Sequence, residues 1–196
     1  MIATGTIAVA AAGFAMAEQP AERATPSPQP AAESRERRLP LGRSVWELSG
    51  ERLRREQALE RGSFPVDGPH DDGAGDAGFG ADRGGRMHEG QDVFAPAGTP
   101  LLAVLDGVVV QTGDDGGRGN YIAIFNRERG ETYVYLHMQE PTPLRPGRSV
   151  HAGQRVGQVG CTGSCWGDHL HFELRAGRGP DGRVLDPRPL LARLGD

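Results

Sequence analysis

Lysine is absent from this chain: all 22 basic residues among its 196 are arginine. Any function that needs an acceptor lysine, such as that of a biotinyl or lipoyl carrier, is excluded. Net charge is −4 and the pI about 5.9, so there is no basic excess to neutralise a phosphate backbone, and nucleic acid is not an expected partner. Cysteine is scarce. Two thiols, Cys161 and Cys165, are too few for a sulfur-only structural zinc site; in an exported chain such a pair reads as a disulfide. Long apolar runs are also missing. The longest, Met1 to Ala17, is too short to span a membrane comfortably. It carries no charge before Glu18 and ends Ala15-Met16-Ala17, which fits a signal peptide or a retained anchor over 1–17, although no Arg or Lys precedes it.

What is abundant is glycine and proline, 30 and 15 residues, unevenly spread. Residues 18–43 are rich in Ala, Pro, Glu, Arg and Ser with almost no large apolar side chain. That composition cannot offset ordering entropy and predicts a disordered linker. Val45, Leu48, Leu53 and Leu59 give patchy periodicity that predicts a short, marginal, solvated helix over 44–62. From Phe64 onward the pattern changes. Short apolar runs punctuated by Gly and Pro recur at Gln91–Phe94, Pro100–Leu105, Val108–Thr112, Tyr121–Asn126, Thr132–Met138, Gln154–Gly160 and His169–Arg175. Such spacing predicts an all-β domain of antiparallel sheet or sandwich type with long loops over 63–190, followed by a short helix or tail, the tail taken as 191–196. The glycines of Asp114–Gly119 form a turn, not a phosphate cradle, since no Gly-Lys-Ser/Thr and no helix follow.

Polar residues with metal chemistry gather in the same domain. In Asp168-His169-Leu170-His171-Phe172-Glu173-Leu174, strand alternation sends both imidazoles and Glu173 to one face and the apolar side chains to the other. Glu173 can there accept a hydrogen bond from a neighbouring imidazole or pair with an arginine at the surface. In Tyr133–His137, the same alternation puts Tyr133, Tyr135 and His137 together, opposite Val134 and Leu136. His88 and Asp92 are four apart among glycines that disfavour a helix, and an even spacing in extended chain also keeps them on one side. His70 lies in a Gly/Asp loop and His151 in a turn, and both are expected in solvent. A catalytic zinc takes three protein ligands and leaves one position open. The five candidates His88, Asp92, His137, His169 and His171 match three ligands and two imidazoles for proton transfer and oxyanion stabilisation.

These residues resemble the lysostaphin/LytM-type zinc endopeptidases of bacterial peptidoglycan. The matching pieces include Phe64-Pro65-Val66, Arg86-Met87-His88 with Asp92, Ala97-Gly98-Thr99-Pro100, Gly119-Asn120-Tyr121, Tyr135-Leu136-His137-Met138 and His169-Leu170-His171-Phe172-Glu173, over about Phe64 to Pro187. The resemblance implies Zn2+ held by His88, Asp92 and His171, with His137 and His169 as catalytic imidazoles. It also implies a β-rich fold with a groove at the metal, a peptidoglycan peptide as substrate, and a monomer working outside the cytoplasm at the cell wall. No stable membrane partner is implied beyond an N-terminal anchor. The Gly/Asp-rich loop before His88 and the cysteine pair depart from the usual pattern. Some relatives have lost ligands and serve as wall-binding or amidase-activating modules; here all five positions are intact, which favours an enzyme. A histidine phosphocarrier, the remaining carrier type with a glycine-punctuated β pattern, would work in the cytosol, against the reading of the N-terminus.

Overall fold

The computed structural model describes residues 45–195; the assignments for 1–17 and 18–43 lie outside them. Two sheets, both antiparallel throughout, make up the domain. The larger contains β1 (Asp71–Asp72), β2 (Gln91–Phe94), β4 (Gly107–Asp115), β5 (Gly119–Asn126), β6 (Glu131–Met138), β7 (Ser149–Val150), β9 (His169–Ala176) and β10 (Val184–Leu185). Its order is β1-β2-β9-β6-β5-β4-β7, with β10 on β9. The smaller pairs β3 (Pro100–Leu102) with β8 (Arg155–Gln158). The apolar runs of the sequence become strands because Val, Ile, Tyr and Phe dominate them and Gly or Pro interrupts each boundary.

One face of the large sheet carries the core. Val93, Val109, Ile122, Ile124, Tyr133, Tyr135, Leu170, Phe172 and Leu174 pack with Leu101 and Val156 of the small sheet and with Leu190 and Leu191. The last two belong to α2 (Arg188–Leu194), a helix started by a proline at its N-terminus. The opposite face is covered in the middle by a smaller cluster, Tyr121, Ala123, Val134 and Leu136. The helix α1 (Val45–Glu60) docks its end on the domain: Ala58 is buried and Leu59 packs on the core. Arg55 donates to the Arg129 carbonyl at 2.7 Å, and Arg193 pairs with Glu56 at 2.7 Å. Among the described residues, no helix is long and apolar enough to cross a membrane.

The alternation expected for Tyr133, Tyr135 and His137 does not hold, and the reason lies in the register. Ile122 pairs with Tyr135 and Asn120 with Met138, so β6 carries one residue more than β5 over this interval. Tyr135 and Met138 both face the core with no exposed surface. The two residues between them, Leu136 and His137, both turn outward. His137 is the one non-glycine residue with positive φ, 62°, among the described residues, and that backbone conformation absorbs the bulge. Tyr133 and Tyr135 therefore sit in the core rather than on a polar face. The Tyr135 hydroxyl is satisfied by the Val104 N–H at 2.9 Å, and the Tyr133 hydroxyl lies 3.5 Å from Glu131.

Candidate metal centre

Strand β9 displays His169, His171, Glu173 and Arg175 on the face opposite the core, as its alternation predicts. Its neighbour β2 places Asp92 directly across from His171 and Phe94 across from His169. His88 is not on a strand. It lies in the loop before β2, tied to the preceding Gly/Asp-rich loop by its N–H to the Ala81 carbonyl and by the Gly80 N–H to its own carbonyl. Gly90 is required between them: a Cβ there would lie 2.6 Å from His171 Nε2 and 2.7 Å from the Phe172 carbonyl oxygen.

Three atoms converge. His88 Nε2 is 3.1 Å from Asp92 Oδ1, Asp92 Oδ1 is 2.8 Å from His171 Nδ1, and His171 Nδ1 is 3.0 Å from His88 Nε2. All three residues are buried, with 3%, 4% and 8% of their surface exposed. Their other polar atoms are committed elsewhere. His88 Nδ1 faces the Gly78 carbonyl at 2.9 Å, which can only accept, so the proton sits on Nδ1 and the Nε2 lone pair points inward. His171 Nε2 faces Glu173 Oε1 at 3.2 Å, which leaves the Nδ1 lone pair inward. Arg83 occupies the second Asp92 oxygen at 2.6 Å. Three inward lone pairs around a common point repel one another unless a cation lies among them. Donors arranged tetrahedrally at zinc's usual bond lengths are about 3.3 Å apart, close to this triangle. The donor set, two imidazoles and a carboxylate, suits a divalent zinc-type ion, and the group could hold a metal.

Electrostatics agree with this. Burial opposes the charged form of Asp92, but His171 and His88, which hydrogen-bond it only when a proton occupies their inward nitrogens in place of a cation, and the Arg83 guanidinium outweigh it and hold the carboxyl well below the usual carboxylate range. Burial likewise opposes charge on His171, yet Asp92 and Glu173 raise it, so the pocket attracts positive charge. Glu173 performs both roles that its position allowed. Oε1 faces His171, and Oε2 accepts from Arg175 at 2.6 Å, but the pair is buried rather than on the surface. Arg175 in turn donates to Glu89 at 2.7 Å.

His137 and His169 lie beside the triangle. Their ring centroids are 5.0 Å apart, and His137 is 5.8 Å from the His171 ring. His137 Nδ1 donates to the Thr162 carbonyl at 2.8 Å and His169 Nδ1 to the Gly167 carbonyl at 2.7 Å. Both are thus set as the tautomer with a free Nε2 lone pair, and His169 Nε2 is 3.7 Å from Asp92 Oδ1. Burial pushes the His137 imidazole down to about 4, so it is neutral at neutral pH. The other two histidines are elsewhere and exposed: His70 stacks on Phe64 at 4.4 Å, and His151 lies 3.6 Å from Asp106.

Two cavities flank the cluster. One of about 410 Å³ is lined by His88, His137, His171 and Glu173 together with Arg86 and Arg118. The other, about 570 Å³, is lined by Asp92 and His169 with Phe94 and Trp166. Trp166 is 95% exposed at its rim. Sequence reasoning missed Arg83, Arg175, Trp166 and the Thr162 and Gly167 carbonyls. Backbone carbonyls leave no residue-type signal, and one arginine among 22 carries none until its partner is known.

The model of peptidase family M23 matches residues 86–187, just over half of the chain. Peptidoglycan DD-endopeptidase ShyA of Vibrio cholerae is 43% identical over 89 residues, 44% of this chain and 20% of that protein. The chain spans about a fifth of the length of the first curated relatives it matches. Among solved structures, the catalytic domain of the prophage-encoded M23 protein EnpA from Enterococcus faecalis is similar at 32% identity and TM-score 0.56, covering 64% of this chain and 95% of that one. The catalytic domain of the antimicrobial peptidase lysostaphin from Staphylococcus simulans is similar at 29% identity and TM-score 0.54, covering 69% and 96%.

Proposed function

The chain belongs to peptidase family M23, and from that premise we propose that it is an exported zinc endopeptidase that hydrolyses peptide bonds in the cross-links or stems of bacterial peptidoglycan. The observation that carries this is the convergence of His88 Nε2, Asp92 Oδ1 and His171 Nδ1 on one point, with two further imidazoles beside it. The similarity to ShyA, a peptidoglycan DD-endopeptidase, supports the substrate class. The signal-like start and the Cys161–Cys165 disulfide support export to an oxidising compartment. The partner is a peptidoglycan peptide, and the chain acts as a monomer.

His88, Asp92 and His171 would hold the ion, which supplies a Lewis acid that polarises the scissile carbonyl and makes water more acidic. Arg83 and Glu173 keep the ligand atoms aimed, Arg83 by occupying the spare Asp92 oxygen and Glu173 by holding the proton of His171 on Nε2. His137 and His169, each donating through Nδ1–H to a backbone carbonyl, present Nε2 to the same space. One accepts the proton of the attacking water. That same imidazole then returns this proton to the leaving amine, while the other, carrying a proton taken from solvent on Nε2, donates a hydrogen bond to the developing oxyanion. The groove formed by the two cavities would carry the peptide strand across the cluster.

The test uses purified full-length protein loaded with zinc, isolated peptidoglycan, and mass spectrometry of the released fragments. About one zinc per chain and new amine termini are expected. His171→Ala should lose both the metal and the hydrolysis; unchanged hydrolysis by that variant refutes the assignment.

A further inference from the structure

The two free imidazoles share an unusual dependence: each is oriented by a backbone carbonyl of one short exposed loop. The Cys161–Cys165 disulfide closes that loop, with the two Cα atoms 5.3 Å apart. Thr162, whose carbonyl accepts from His137 Nδ1, lies inside the closed ring. Gly167, whose carbonyl accepts from His169 Nδ1, lies two residues beyond it, and its N–H donates to Cys165 Sγ at 3.4 Å. The same sulfur is 3.9 Å from His169 Nδ1.

Backbone bonds tie the middle and the base of the loop, Ser164 N–H donating to the Gly117 carbonyl at 3.1 Å and His169 N–H to the Gly160 carbonyl at 3.2 Å, but side chains add little. Cys161, Gly163, Ser164, Trp166, Gly167 and Asp168 are exposed, and none of the loop joins a hydrophobic cluster. Segments with few buried contacts open most readily. The two halves are not equally secured. The Thr162 hydroxyl donates to the Met138 carbonyl at 2.8 Å and accepts from the Asn120 N–H at 2.9 Å, which ties that half to the sheet. Gly167 itself, between the Ser164 bond to Gly117 and the His169 bond to Gly160, has the sulfur contact and its chain connection to β9. A bridge across four positions closes too small a loop to owe its value mainly to chain entropy, so its effect is local.

We infer that the Cys161–Cys165 bridge is a positioning element for catalysis: it holds the Thr162 and Gly167 carbonyls where they fix His137 and His169 as Nδ1–H tautomers, with His169 the more dependent of the two. This rests on the endopeptidase reading for its kinetic part only. The orientation of the imidazoles is a property of the chain itself and can be read without turnover.

The test compares the zinc-loaded full chain with the double variant Cys161→Ser, Cys165→Ser. Imidazole 15N shifts report the tautomers. Wild type should show one Nδ1–H form at both residues; the variant should lose that bias at His169 and lose less of it at His137. In the same variant kcat should fall about 10- to 100-fold, as expected for a misplaced proton-transfer group, with KM and zinc content unchanged. Wild-type tautomers retained at His169 in the variant overturn the inference, whatever the activity. If zinc-loaded wild type cleaves no peptidoglycan, the endopeptidase reading falls and the 15N comparison still decides the positioning. Should the double variant not fold, wild type reduced with a phosphine and then reoxidised takes its place. Reversible loss of the His169 bias supports the inference, and its persistence after reduction overturns it.

Discussion

Replacing Glu173 by glutamine removes one charge and changes almost no volume, in a residue that is 5% exposed. The native carboxylate is held below its usual range because His171 and Arg175 outweigh the burial that would raise it. Its two oxygens face two donors: His171 Nε2 at 3.2 Å, and Arg175 at 2.9 Å and 2.6 Å. An amide has one oxygen and one NH2, so it cannot satisfy both. If its oxygen stays on His171, NH2 meets the guanidinium; Arg175 keeps Glu89 at 2.7 Å, but a donor now faces a donor. If it turns, NH2 donates to His171 Nε2 and the ring proton moves to Nδ1, the atom in the triangle. The second arrangement satisfies more groups and directly blocks metal binding. Loss of such an orienting partner typically costs 10- to 100-fold in metal affinity, or about 1.4–2.7 kcal/mol. Zinc affinity measured by competition with a chromophoric chelator should fall by that factor, while kcat at saturating zinc changes far less. A dissociation constant within twofold of wild type would refute the tautomer argument.

Two further outcomes follow from other parts of the site. His137 ionises near 4 when folded, against an ordinary value of 6.5. Between those values the unfolded chain takes up a proton that the folded one does not, so stability rises with pH across this window. In metal-free protein His137 should account for a loss of about 3 kcal/mol as pH falls from 6.5 to 4; denaturant midpoints for wild type and His137→Ala should converge at low pH, and parallel pH curves would contradict this. Trp166 is 95% exposed beside the cavity lined by Phe94 and His169. Trp166→Ala should leave stability within about 0.5 kcal/mol and raise KM for peptidoglycan peptides roughly 3- to 10-fold through lost apolar contact, with kcat preserved; an unchanged KM would remove Trp166 from the groove.

Much of this arrangement was readable from periodicity. The apolar runs became strands with small shifts at their ends, because β-branched and aromatic residues alternating between Gly and Pro have few other ways to bury themselves. Strand β9 is the clearest case: a period of two separates Leu170, Phe172 and Leu174 from His169, His171 and Glu173 whatever the strand pairs with. Strand β6 is the counter-example. The same rule grouped His137 with Tyr133 and Tyr135, and it failed because one inserted residue reversed the side-chain alternation. A bulge depends on the partner strand's register, which no single strand encodes.

The residue types and, away from the bulge in β6, their faces were therefore decided by the chain alone: an all-β domain, one core-facing side per regular strand, and five side chains with metal-binding or proton-transfer chemistry. Tertiary structure decided which atom of each imidazole points inward. That choice rests on particular partner atoms: Glu173, next along the same face of β9, for His171, and residues from other segments for the rest, Gly78 for His88, Thr162 for His137 and Arg83 for the spare oxygen of Asp92. Hydrogen bonds act over about 3 Å and between atoms rather than residue types, so ring orientation and tautomer exist only once the loops have closed around the strands.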